Sequence, residues 1–127
     1  MKAHIYQIDL RLDDKRICFM PYETVLREYA DHFPAEKYAL VYSLETDEED
    51  PESIFALLNL HHPADYTARS LSVSDVVEYE HDDGSRTAYF CDTVGFVRIA
   101  KAEFIDSPSA NAQGYQMLAE AYFKSIR

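Results

Sequence analysis

The sequence predicts an α+β domain: a mixed or antiparallel sheet of about five strands with three helices, in the chain order β-α-β-α-β-β-β-α. Three observations carry that expectation. In the first half of the chain, stretches with strand-like apolar patterning are interleaved with stretches at helical spacing. Three short strand-like runs then follow one another with only turn residues between them. With 47% hydrophobic content, 127 residues suffice for one core and are too few for two, so residues 1–127 read as a single domain.

Each element has a local reason. Over residues 4–12, Tyr6, Ile8, Leu10 and Leu12 fall on one face of a strand, until Asp13, Asp14, Lys15 and Arg16 break the period. Pro21 suits the start of a helix whose apolar face is Tyr22, Val25, Leu26, Tyr29 and Phe33, and Pro34 forces an end at or before Phe33. Residues 38–42 are apolar on both faces, which predicts a central strand covered from both sides. Asp50 as N-cap and Pro51 in the first turn open a second helix, with Ile54, Phe55, Leu57 and Leu58 facing inward and His61, His62 and Pro63 ending it. Residues 64–74 form a polar connection without either period. Residues 75–80, 86–92 and 96–99 read as an antiparallel meander, turning at Asp82-Asp83-Gly84-Ser85 and near Gly95. A last helix over about residues 108–126 carries Tyr115, Leu118, Ala119, Tyr122 and Ile126 on one face. These patterns predict one shared core of Tyr6, Ile8, Leu10, Leu40, Tyr42, Leu57, Leu58, Val77, Phe90 and Phe96.

Composition excludes several functional classes. The longest unbroken apolar runs, residues 38–42 and 54–58, fall far short of the roughly 20 residues that cross a bilayer. The opening residues lack the apolar stretch of a secretory signal, so a cytoplasmic chain without membrane contact is expected. Cys18 and Cys91 are too few for a disulfide framework or a zinc cluster and read as buried thiols. With three glycines and no GxGxxG, P-loop, HExxH or CxxC, the chain shows no cofactor-binding or metal-binding pattern, and none is expected.

Charge is the most informative feature. Residues 1–37 sum to −1, residues 38–85 to −11 and residues 86–127 to +1, and the middle segment holds Arg69 as its one lysine or arginine. Its acids fall mostly in two runs: Glu45, Asp47, Glu48, Glu49, Asp50 and Glu52, then Asp75, Glu78, Glu80, Asp82 and Asp83. Such a field repels nucleic acid and attracts basic protein surfaces, so these eleven residues are the candidate partner-binding set. Acidic runs also serve simply as solvated loops that keep a protein soluble.

The one dense group of reactive side chains is His61, His62, Asp65, Tyr66, Arg69 and Ser70. Adjacent histidines point in different directions and make a weak ligand pattern. A helix end, with Asp65 paired to Arg69, accounts for them. Tyr66, Tyr79 and Tyr89 are not all assigned to the core by period and offer recognition surface.

The segments IYQI at 5–8, FMPYE at 19–23, YALVYS at 38–43, HPADYTARSLSVSDVV at 62–77 and YFCDTVGF at 89–96 together resemble the YodL-like domain family. The resemblance spans roughly residues 4–99. It departs at Thr93-Val94, where the family more often has Ser-Phe. The resemblance implies a domain of Gram-positive bacteria and their conjugative or phage-like elements, and it brings no catalytic residues to carry over. Physically, the hydroxyls and carboxylate of Ser70-Leu71-Ser72-Val73-Ser74-Asp75 fix a turn into the following strand, and Gly95 supplies positive φ at a hairpin.

The combined expectation is a non-catalytic, acidic interaction module of a mobile element. It would bind a protein with a basic surface, as an inhibitor of a nucleic-acid-handling enzyme of the anti-restriction or anti-CRISPR kind, with no direct nucleic-acid contact. The alternatives are a regulator of a host cytoskeletal or division protein, and a hydrolase built on His61, His62 and Asp65. Oligomeric state is not legible.

Overall fold

The structure, a computed structural model, describes residues 1–100. The expected helix over about residues 108–126 lies outside the described residues. Five strands, β1 (Lys2–Ile8), β2 (Tyr38–Glu45), β3 (Val76–Glu80), β4 (Arg86–Cys91) and β5 (Phe96–Ile99), form a single sheet ordered β2-β1-β3-β4-β5. Every pairing is antiparallel, so the parallel component allowed by the sequence is absent from this sheet. Two α-helices are described, α1 (Tyr22–Glu28) and α2 (Pro51–Leu60), with a short 3₁₀ turn at Ala35–Lys37.

The sheet is covered on both faces. On one, α2 contributes Ile54 and Leu58, and the connection to β3 contributes Tyr66 and Leu71, against Ala3, Ile5, Val41, Val77 and Tyr79. On the other, Ile17, Val25, Phe33 and Ala35 pack on Tyr6, Ile8, Tyr38, Val76 and Phe90. The single core expected from the sequence is therefore two apolar layers. Tyr6, Ile8, Leu40 and Phe90 lie in one, and Leu10, Tyr42, Leu58, Val77 and Phe96 lie in or against the other, whereas Leu57, expected with them, is only half-buried beside the inward-facing Ile54 and Leu58 of α2. Period alone reports that a residue is apolar on its own element, not which of two covering layers it meets.

Two boundaries and one strand position also differ for physical reasons. β1 ends at Ile8 rather than Leu12, because the side chain of Asp9 turns back to accept from the backbone and guanidinium of Arg11 and the Leu12 amide donates to the Asp9 carbonyl. Leu12 is exposed. α1 stops at Glu28 because Ala30 and Asp31 take left-handed conformations, φ 53° and 66°. β2 is an edge strand, not a central one. Its doubly apolar run reflects coverage of both faces, together with a register shift between Ile5 and Tyr6 that leaves Val41 as the extra residue of a bulge. Asp50 caps α2 as the sequence leads one to expect, accepting from the Glu52 amide at 3.0 Å.

Candidate functional site

The start of β1 stands between two acidic strand ends, since Lys2 pairs with Glu45 of β2 on one side and with Glu80 of β3 on the other. Beyond those ends lie the exposed Asp47, Glu48, Glu49 and Asp50, and the β3–β4 hairpin tip with Asp82, Asp83 and Gly84 at φ 88°. Met1, Lys2, Glu45, Glu80, His81, Asp82 and Gly84 line a surface depression of about 290 Å³ there. Segments more than thirty residues apart are thus brought to one end of the sheet because β1 pairs with both β2 and β3. Glu52 lies apart from this end, its Oε1 3.6 Å from where a Cβ on Gly95 would sit at the β4–β5 turn. Exposed acids consequently form a band from the β1 end of the sheet to that turn.

Local pairing divides this band. Asp47, Glu48, Glu49, Asp50 and Glu52 are exposed and form no ion pair among the described residues. Glu80, by contrast, accepts from Arg86 at 2.6 Å and faces His4 at 3.7 Å.

Two of the eleven predicted acids do not belong to this surface. Glu78 is 2% exposed and accepts from Arg86 at 2.8 Å, so it serves as an internal anchor for that guanidinium. Asp75 is 1% exposed and is gripped by both terminal nitrogens of Arg69, at 2.7 and 2.8 Å. Charge counted along the chain does not distinguish a carboxylate facing solvent from one folded onto a guanidinium.

The Arg69–Asp75 pair organises the other end of the sheet. The Ser72 amide donates to Asp75 at 2.8 Å, and Gln7 of β1 donates to Asp75 and to the Arg69 carbonyl. The Tyr66 hydroxyl donates to that carbonyl at 2.6 Å and the Tyr38 hydroxyl to the Ser74 carbonyl at 2.6 Å. Burial pushes the Asp75 carboxyl up from the usual aspartate range, and Arg69 pulls it back. Arg69 also lies 5.0 Å from the ring centre of Phe19, an aromatic 49% exposed and held at φ 71° while its amide donates to Ser74 Oγ. Left-handed backbone at a bulky residue is strained, and these contacts hold it in place. The Arg69-to-Asp75 stretch, read from sequence as a turn, is thus the polar node that joins the 9–20 loop, β1, β2 and β3. The sequence signalled it through the family-like segment at 62–77, the turn-forming side chains of residues 70–75 and Arg69, the lone lysine or arginine of the middle segment, but not through the pairing of Arg69 with Asp75.

The histidine group disperses. Arg69 pairs with Asp75 rather than Asp65, and Asp65 instead accepts from the Tyr42 hydroxyl at 2.7 Å. His61 caps the end of α2, and His62, exposed, contacts the Pro63 carbonyl at 3.2 Å. No three His, Cys, Asp or Glu side chains among the described residues are grouped to hold a metal ion. Tyr66 and Tyr79 are buried and Tyr89 half-buried, so the first two offer no open recognition surface.

Both thiols are free and largely enclosed. Burial pushes Cys18 up to about 11, against the pull of Arg69, and Cys91 up to about 12. Neither is an activated nucleophile. At pH 8 the folded protein should react with iodoacetamide at least ~100-fold more slowly than the urea-unfolded chain, since an ordinary thiol is substantially ionised there. Equal rates would contradict this burial. The folded thiols hold protons more tightly than unfolded ones, so their stabilising contribution is intact below about pH 8.5 and is lost as pH rises toward their folded values.

No described helix is long and apolar enough to cross a membrane. No curated protein and no solved structure matches the chain. The family model of the YodL-like domain matches residues 2–102, taking in the whole sheet and the Arg69–Asp75 node, and the chain belongs to that family.

Proposed function

We propose that this YodL-like domain is a non-catalytic interaction module of a mobile genetic element, acting in the cytoplasm. It binds the basic surface of a nucleic-acid-handling protein and inhibits or regulates it. The observation that carries the reading is the set of exposed carboxylates, Asp47, Glu48, Glu49, Asp50 and Glu52, that form no ion pair among the described residues. Asp82 and Asp83 at the hairpin tip extend the same field. A duplex carries one negative charge per about 1.7 Å of its axis, so a rigid acidic face competes for a groove built to hold DNA. The mobile-element setting rests on the family resemblance, and the partner class rests on charge.

Reversal of Asp47, Glu48, Glu49, Asp82 and Asp83 to lysine is the direct test. These side chains are exposed, so the variant should keep its far-ultraviolet circular dichroism and melting profile. Capture of the partner from a host lysate should disappear with the variant. With the native chain it should weaken as salt rises from about 0.05 to 0.5 M, because the Debye length shrinks below about 10 Å. A partner that survives both charge reversal and high salt would show that this face does not carry binding. Loss of function in His62→Ala with the acids dispensable would favour the hydrolase alternative.

A further inference from the structure

Phe19 is held in a left-handed conformation, φ 71°, that is strained for a bulky side chain, yet its ring is 49% exposed. The loop around it is pinned. The Asp13 carboxylate accepts from the Ile17 and Cys18 amides at 2.8 and 3.0 Å, the Phe19 amide donates to Ser74 Oγ at 2.9 Å, and the Arg69 guanidinium lies 5.0 Å from the ring centre. Met20, next in the chain, is 41% exposed. Asp92 Oδ1 accepts from the amides of both Tyr22 and Thr93, which ties the β4–β5 turn to the start of α1 and sets Val94, 90% exposed, on the neighbouring loop. Three apolar side chains therefore face water from hydrogen-bonded loops at the end of the sheet opposite the Asp82–Asp83 tip. Asparagine or glycine would take the Phe19 backbone with less strain, so the exposed ring calls for a role outside the folded chain.

Charge names the occupant. Arg16 lies three residues before Phe19 and Glu23 three residues after Met20, both are exposed, and neither forms an ion pair among the described residues. A cation and a carboxylate placed symmetrically about an apolar pair make a self-complementary pattern: about a two-fold axis between Phe19 and Met20, Arg16 of each copy faces Glu23 of the other. Net charge points the same way. Two chains of −11 repel each other, and contact through this end keeps their acidic tips apart. The β3–β4 ladder holds five residue pairs, about 16 Å, so the tips stand at least ~30 Å from one another, about three Debye lengths at 0.1 M salt. A lipid surface or a nucleic acid is anionic and is repelled by the chain as a whole.

We propose that Phe19, Met20 and Val94 form a two-fold contact between two copies of this chain, flanked by reciprocal Arg16–Glu23 pairs. This goes beyond the acidic-interface reading and does not rest on it. The dimer carries its two acidic tips at opposite ends.

Sedimentation velocity on the full chain over a concentration series is the test, with thermal melting in parallel. A patch well below the standard interface size predicts a weak dimer, with Kd about 10–100 μM. Phe19→Asn, which tolerates the left-handed backbone, should weaken association about 10-fold or more while melting within a few degrees of native or above it. Arg16→Glu alone should weaken association about 3-fold or more, and Arg16→Glu combined with Glu23→Arg should restore it, because the pair is reciprocal. Partner capture by the acidic face should be unchanged in Phe19→Asn, so the two readings fail separately. A native chain that stays monomeric, native-like association of Phe19→Asn, or a charge swap that restores nothing overturns the contact. Loss of a lysate partner in Phe19→Asn from a monomeric native chain shows that the patch takes an unlike protein, and melting of that variant well below native shows that the ring serves the fold; either also overturns it.

Discussion

Replacing Arg69 by alanine is expected to destabilise the protein by roughly 3–4 kcal/mol at pH 7, a large part of the 5–15 kcal/mol that usually separates a folded domain from its unfolded chain. The substitution leaves the buried Asp75 carboxylate with the Ser72 amide and Gln7 as its remaining donors among the described residues. An isolated buried charge escapes by taking a proton. At pH 7 that costs about 1.4 kcal/mol for each unit above the ordinary aspartate value near 3.9, which caps the penalty at about 4 kcal/mol. The cap gives the prediction a sign. In the variant the folded carboxyl holds its proton more tightly than the unfolded one, so the variant gains stability as pH falls, and its deficit should narrow markedly between pH 7 and pH 5. Urea unfolding of both proteins at the two pH values measures this. A deficit that is small at pH 7, or that does not change with pH, would show that Arg69 and Asp75 are not a coupled buried pair. Phe19 loses its guanidinium neighbour in the same variant, so proteolysis in the 9–20 loop should appear first there.

Phe90→Ala is expected to cost about 3–5 kcal/mol, the range for truncating a fully buried aromatic. The ring is wholly buried, with Tyr22 edge-on at 5.0 Å and Phe33 edge-on at 6.1 Å, so deletion opens a cavity between β4 and the α1 layer. Phe96, which the sequence places in the same core, is half-buried on the opposite layer, with a ring contact to Phe55 at 6.3 Å as its one such contact among the described residues. Its truncation should cost only about 1–2 kcal/mol, in proportion to the smaller area returned to water. Glu48→Ala, in solvent, should change stability by less than about 0.5 kcal/mol. Denaturant midpoints for the three variants give the ranking, and equal losses at Phe90 and Phe96 would contradict the two-layer arrangement.

Much of this chain is written locally. Asp50 and Pro51 specify the start of α2 because capping and a preset φ need only neighbouring residues. The Asp82–Ser85 tip and Gly95 specify the meander because turns need residues that tolerate positive φ. The apolar runs name their strands within a few residues. The acidic character of residues 45–52 and of the hairpin tip, and the family resemblance, were equally legible. What the tertiary structure decided depends on partners distant in sequence. β2 became an edge, because the apolar pattern of a strand reports coverage above and below and says nothing of hydrogen-bonded neighbours to either side. Two covering segments, not one, split the apolar residues into separate layers. Asp75 and Glu78 left the acidic surface because Arg69 and Arg86 pair with them internally. A side chain's charge and period are properties of its own segment, whereas its burial and its partner are properties of the packed whole, and it is the latter that separate an anchoring carboxylate from one free to meet another protein.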